Sequence, residues 1–233
     1  MSDLLDAAWL GRASYRAVWA LQEALRERVL DGSGPETLLL VEHDPVITLG
    51  RSARRENVVA APSLLAASGT EVVETTRGGD VTWHGPGQLV AYPVVRLQGS
   101  VPAHIEAMAG AVVEIAASLG VAAEYRPDCP GVWVGNDKLC AFGVQIHRRV
   151  AIHGLALNVN PPLDAFSAIV PCGLSCSGVT SIEALTRGGA PAPPLPQLAE
   201  SLANALGRHF SRSVRFLGER SIDSLLSRSS SVE

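Results

Sequence analysis

The sequence predicts an α+β fold, a mixed β-sheet flanked by helices. Three observations point there. The elements run helix, strands, helix, meander, helix, strand, which is not a steady βαβ alternation. The stretch GVWVGNDKLCAFGVQIHRRVAIHGLALNV holds three apolar runs separated by Gly135-Asn136-Asp137 and His147-Arg148-Arg149. Both separators are turn signals, so the stretch reads as a three-stranded meander. Finally, three segments place apolar residues every three or four positions, as a helix packed on a sheet requires.

The elements follow in order. In SYRAVWALQEALRERVL, Val18, Leu21, Leu25 and Val29 mark an amphipathic helix with Ser14 as its N-cap, stopped at Asp31-Gly32. TLLLVEH and VITLGR read as two short strands broken at Asp44-Pro45, because proline has no N–H for a central ladder. EVVETT is a further strand, leading into RGGDVTWHGPGQLVAYP, where QLVAYP has the look of a buried strand. Ile105, Met108, Val112, Ile115 and Leu119 define a second helix ended by Gly120. After the meander, Thr180 and Glu183 have capping-box spacing for a short helix. RGGAPAPPLP, residues 187–196, reads as a linker. A third helix (Leu195, Leu198, Leu202, Leu206), the strand SVRFL and a last turn SIDSLL follow it. The expected organisation is one domain over residues 1–186, the linker, a small helix–strand–helix extension over 197–227 packed on the same domain, and a disordered tail from 228.

Composition narrows the classes. The chain has 233 residues, 47% hydrophobic and 18% charged, enough for a substantial core. A net charge of -4 gives no overall basic field, which argues against nucleic acid as a partner. No apolar run reaches the length of a membrane span, and the acidic amino terminus lacks a basic n-region, so a cytoplasmic protein without a membrane partner is expected. The four cysteines lack the spacing of a zinc finger or a secreted disulfide framework, and no metal or tightly held cofactor is expected. Nothing in the pattern argues against a monomer.

Candidate chemistry sits in four places. The turn at Gly78-Gly79 is neither a Walker loop nor a dinucleotide fingerprint. Its N–H groups and Arg77 suit either close approach to a ligand or a tight hairpin with a surface arginine. Cys172 and Cys176 lie in IVPCGLSCSG, an irregular stretch able to expose a thiol, and the residues by themselves rank them equally. Cys140 alternates within a strand as a packing residue would, and Cys129 reads as a loop residue. A thiol with a reference pKa near ~8.5 needs a neighbouring cation or proton acceptor to act as a nucleophile. Lys138 is unusual among basic residues that are almost all arginine. It reads either as a solvated strand end or as the group whose ammonium stabilises a thiolate or whose amine takes the thiol proton. His84 and His153 are further candidates.

Together, EHDPVITLGR, RGGDVTWHGPGQLVAYP, DKLCAFGVQI, HGLALNVN and IVPCGLSCSGVTS resemble, in order and spacing, the octanoyltransferases of lipoate biosynthesis, over residues 42–181. The resemblance implies a fold similar to the catalytic domain of lipoate and biotin protein ligases. It implies transfer of an octanoyl group from octanoyl-acyl carrier protein, through a cysteine thioester, to a lysine of lipoyl domains. Acceptors would be the E2 subunits of 2-oxoacid dehydrogenases and the glycine cleavage H protein. The nucleophile falls on Cys172 in VPCG and the lysine that tunes it on Lys138, with Cys140 standing where the family pattern has alanine. Substrate binding falls on Arg77, Gly78, Gly79, Asp80, Val81, Thr82, Trp83 and His84, on Ala141, Phe142 and Gly143, and on His153, Gly154, Leu155 and Ala156. The alternative class is an ATP-dependent lipoate- or biotin-type protein ligase, which shares the fold and the lysine but uses no nucleophilic cysteine. A non-catalytic acyl-binding module would tolerate Cys172→Ser.

Overall fold

The computed structural model describes residues 3–170, 178–186 and 191–227. Cys172 and Cys176, the start of the expected linker and the expected disordered tail lie outside the described residues. The described strands are β1 (Leu4–Ala13), β2 (Thr37–His43), β3 (Val46–Leu49), β4 (Glu71–Glu74), β5 (Val81–His84) and β6 (Gln88–Arg96). They continue with β7 (Glu124–Tyr125), β8 (Gly131–Val134), β9 (Asp137–His147), β10 (Val150–Asn158), β11 (Gly178–Val179) and β12 (Ser213–Glu219). Helices are α1 (Tyr15–Asp31), α2 (Pro62–Ala67), α3 (Val101–Ser118), α4 (Ile182–Leu185), α5 (Leu195–His209) and α6 (Ile222–Leu226).

One mixed sheet dominates, in the order β12-β1-β2-β6-β10-β9-β8-β7, with β11 added beside β9; β4-β3-β5 form a second, small sheet. The β12-β1-β2 pairs are parallel, and the pairs from β2 through β6, β10, β9 and β8 to β7 are antiparallel. One face of the large sheet packs on α3 and α5 around Leu5, Leu38, Leu89, Met108, Val112 and Leu202. The other packs on α1 and α6 around Val18, Leu21, Leu25, Leu39, Val90 and Ile152. Because both faces are covered, central strands such as QLVAYPVVR read as unbroken apolar runs. The expected α+β mixed sheet with flanking helices is what forms.

Local chemistry explains the helix ends. Ser14 caps α1 by accepting the Ala17 N–H at 3.3 Å, and Gly32 closes it with a left-handed φ of 78°. Ser100 does the same for α3. The expected Thr180–Glu183 capping box does not form. Ser181 caps α4 through the Ala184 N–H, and the Thr180 carbonyl accepts a bond from Asn158 instead. Helix α5 starts at Leu195, inside the stretch read as a linker, because Pro194 and Pro196 suit a helix start, where no N–H is required. The strand pattern also left β1, β5, β7 and α2 unread. Asp6 interrupts the β1 pattern, but it is paired with Arg215 of β12 through two bonds of 2.7 and 2.9 Å.

One irregularity in the large sheet shapes the site. Val150 and Ala151 pair with Arg96 and Val95, and pairing resumes only at Leu155 opposite Ala91. Extending that register sets Pro93, which has no N–H, opposite His153. The His153 N–H turns away to donate to Gln22 Oε1 at 2.7 Å, and its φ is 60°. That left-handed conformation is costly for a residue with a Cβ. Its effect is to move the ring. Ala151 and Leu155 point into the α3/α5 core and Ile152 and Ala156 into the α1 core. Strict alternation would send His153 with Ala151, yet its ring lies 6.0 Å from that of Trp19 on α1. Gly154 completes the arrangement, since an added Cβ would sit 2.2 Å from the Ala91 carbonyl oxygen and 2.8 Å from Pro93 Cδ. Gly154→Ala is therefore expected to destabilise the protein by about 1–3 kcal/mol, measured by chemical denaturation.

Candidate active site

A cavity of about 340 Å³ opens between the small sheet with its Arg77–Asp80 loop and the β6, β10 and β9 part of the large sheet. Arg77, Gly78, Gly79, Asp80, Val81, Thr82, His84, Lys138, Ala141, Phe142, Gly143, His153, Gly154, Leu155 and Ala156 all line it. Trp83 does not. It is buried in the small-sheet cluster with Ile47 and Leu49, where it packs edge-on to Phe166 with ring centroids 5.4 Å apart. Ile169 and Val179, on either side of the stretch that holds Cys172, line the same cavity, as do Asp128, Cys129 and Pro130.

The loop is held by bonds that sequence does not suggest. Arg77 is buried, not a surface charge. Its guanidinium donates to the Thr48 carbonyl at 2.6 Å and to Thr48 Oγ1 at 3.0 and 2.9 Å, anchoring it to β3. The Gly78 N–H donates to the Val144 carbonyl on β9 at 2.9 Å. A Cβ on Gly143 would lie 3.1 Å from both Arg77 Cδ and the Gly78 carbonyl oxygen. The room made by Gly78 and Gly143 is therefore filled in part by the protein itself, where one loop crosses one strand. Asp80 is likewise a structural tie: its carboxylate accepts from the Val81 N–H at 2.7 Å and from Asn57 Nδ2 at 2.8 Å.

Lys138, the only lysine in the sequence, begins β9 half-buried, with Nζ 4.8 Å from the centre of the Trp133 ring. Val179 pairs beside it on β11, and the Thr180 N–H donates to the Lys138 carbonyl at 3.0 Å. These contacts hold the Val179 flank of the Cys172 stretch at the cavity wall, and a bridge between Val58 and Ile169 holds the other. Cys140 is buried in the α3/α5 core, and burial pushes its thiol up, away from the thiolate.

Behind the cavity lies a cluster of buried aromatic and polar groups: Tyr15, His43, His84, Tyr92 and His153. Tyr15 stacks on His84 with centroids 6.1 Å apart and planes 6° from parallel. His43 Nδ1 donates to the Ala13 carbonyl at 3.0 Å, so its Nε2 accepts from the Tyr92 hydroxyl at 2.9 Å. Burial lowers His43 to about 4, and burial reinforced by His43 and Arg77 lowers His84 to about 3. His153 is also lowered to about 3, by burial first and Arg77 next, while burial raises Tyr15 to about 12. At neutral pH the imidazoles and the phenol are uncharged, so this wall offers hydrogen-bonding groups without net charge. Tyr15, Gln88, Tyr92 and Asn158 belong to the wall and were not singled out from sequence. The available signal was a polar group inside an otherwise apolar strand, as in QLVAYP and LALNV.

The family described as the lipoyl protein ligase A/B catalytic domain matches residues 14–207. The chain belongs to that family. An octanoyltransferase of Chloroflexus aggregans is 44% identical over 203 residues, covering 84% of this chain and 90% of that one. An octanoyltransferase of Chloroflexus aurantiacus is 43% identical over 212 residues, covering 88% and 94%. A lipoate-protein ligase A bound with ATP superposes with a TM-score of 0.77 at 17% identity, covering 97% of this chain and 93% of that one, a likeness of fold. Within the ligase/transferase family the chain is therefore an acyltransferase.

The neutral imidazoles predict acid sensitivity. Each is about 6.5 when unfolded and lower when folded, so below pH 6.5 the unfolded chain binds more protons and stability falls with pH. The contribution is fully present above about pH 6.5 and is lost progressively toward the folded values of about 3–4. Urea melts at pH 8.5, 7.5, 6.5, 5.5 and 4.5 are expected to show a nearly constant midpoint between the first two and a falling one below.

Proposed function

We propose that this acyltransferase moves an octanoyl group from octanoyl-acyl carrier protein to a lysine of lipoyl domains, through a thioester on Cys172. Acceptors are the E2 subunits of 2-oxoacid dehydrogenases and the glycine cleavage H protein. The observation that carries the reading is a single cavity lined by Lys138 and by both flanks, Ile169 and Val179, of the VPCG stretch.

The chemistry follows from the parts. The Cys172 sulfur attacks the carrier thioester and the carrier thiol leaves; the acceptor amine then attacks the enzyme thioester and the Cys172 thiol leaves. Lys138 serves the thiol, as ammonium beside the thiolate or as the amine that takes its proton. Val90, Phe142, Leu155, Ile169 and Val179 supply apolar wall, and the neutral histidines add no charge to it. Burying about six methylenes of the acyl chain contributes roughly 5 kcal/mol at ~0.8 each. That stabilisation favours a medium-length chain over a short one.

Intact mass measurement tests the reading. Incubation with octanoyl-carrier protein, without ATP, is expected to add one octanoyl group, mapped by peptide sequencing to Cys172. Neutral hydroxylamine should remove it, as it does a thioester. An adduct on Cys176, an amide on Lys138, or transfer that proceeds only with ATP would overturn the reading, the last in favour of a ligase. Lys138→Met is expected to cut the acylation rate at neutral pH by about 100-fold or more with the denaturation midpoint retained. An unchanged rate removes Lys138 from the mechanism.

A further inference from the structure

The proposed transfer needs a group to receive the acceptor amine, and a chain of hydrogen bonds leading to His84 supplies one. The chain starts at the Thr180 carbonyl, which can only accept. Asn158 Nδ2 donates to it at 3.0 Å, so Asn158 Oδ1 faces the other way. Gln88 Nε2 donates to that Oδ1 at 2.9 Å and to the Trp83 carbonyl at 3.2 Å, which turns Gln88 Oε1 toward His84. His84 Nδ1 lies 2.9 Å from Gln88 Oε1 and must carry the proton, because an amide oxygen cannot donate. At each link the alternative orientation would set donor against donor or acceptor against acceptor. All three side chains are buried, which makes such a mismatch costly.

The neutral ring therefore has its lone pair on Nε2. His84 lines the cavity, its ring orientation is held by the stack on Tyr15, and Nε2 has no hydrogen-bond partner among the described residues. We propose that His84 Nε2 is the hydrogen-bond acceptor for the incoming lysine amine, and that Gln88 and Asn158 are positioning residues that hold His84 in the required tautomer. This rests on the thioester reading above. In the step itself the C–N bond forms, the C–S bond breaks, and the electron pair leaves on sulfur. One amine proton is lost and the thiol gains one. An acceptor that holds an amine N–H turns the nitrogen lone pair toward the thioester carbon. The chain also links the two halves of the site. Thr180, whose carbonyl begins it, donates its own N–H to the backbone of Lys138.

The test separates the two half-reactions in the full-length protein. After loading from octanoyl-carrier protein, decay of the octanoyl-enzyme on mixing with a lipoyl domain is followed by mass. His84→Phe keeps an aromatic ring for Tyr15 and removes both nitrogens. It is expected to slow the amine step about 100-fold while slowing acylation far less. Gln88→Met is expected to slow the amine step as well. In ¹⁵N-histidine spectra of the unaltered protein His84 should show a protonated Nδ1 and an unprotonated Nε2, and this pattern should be lost in Gln88→Met. Equal slowing of both steps, no effect on the amine step, or a protonated Nε2 in the unaltered protein would each overturn the proposal. Should His84→Phe fail to fold, the tautomer measurement on the unaltered protein decides. If the unaltered protein forms no octanoyl-enzyme at all, the thioester reading fails, a result distinct from any of these.

Discussion

The site depends on one crossing, where the Arg77–Asp80 loop of the small sheet is laid across β9 of the large one. Two of the interactions that hold it join the loop to the two sheets. The buried Arg77 guanidinium binds the Thr48 carbonyl and hydroxyl on β3, and the Gly78 N–H binds the Val144 carbonyl on β9. A buried guanidinium is tolerable only if its donors are matched, and Thr48 accepts from two of its nitrogens. The crossing also demands glycine. A side chain at Gly50 would collide with the loop, its Cβ 2.3 Å from the Gly79 carbonyl oxygen, and one at Gly143 would press on it at 3.1 Å.

Arg77 acts at a distance as well. Its charge reinforces burial in holding His84 and His153 neutral, and counters burial at Tyr15 and Tyr92. A single buried cation thus helps to set the protonation of a wall whose hydrogen bonds depend on neutral rings. The same economy appears at Pro93. A proline in a central strand removes a ladder bond, and the adjoining strand uses the gap to turn His153 toward α1. Local cost and site geometry are there one feature.

Much of this was legible in the chain. The periodicity of Val18, Leu21, Leu25 and Val29 and the Ser14 cap define α1 through interactions within a few residues. The meander follows from its turns, although the Arg148-Arg149 turn has positive φ at both arginines, where glycine or asparagine is favoured. The ordered motifs from EHDPVITLGR to IVPCGLSCSG place the chain in its family, and the glycine-rich stretch, Lys138 and the HGLA segment do meet around one cavity.

What stayed hidden depends on partners distant in sequence. Strand β1 looks interrupted at Asp6 until Arg215, 209 residues away, is paired with it. Arg77 resembles a surface charge until Thr48 is beneath it, and Trp83 resembles a site residue until it is found packed on Phe166. Gln88 and Asn158 are two polar residues in apolar strands, and only their contact, 70 residues apart in the chain, makes them a relay. Sequence by itself determined the family, the main elements and the chemistry-bearing residue types, because these rest on local periodicity, turn preference and motif spacing. Tertiary structure alone decided burial, tautomer and which glycines face the protein, because each of those is set by groups that meet only when the two sheets close on one another.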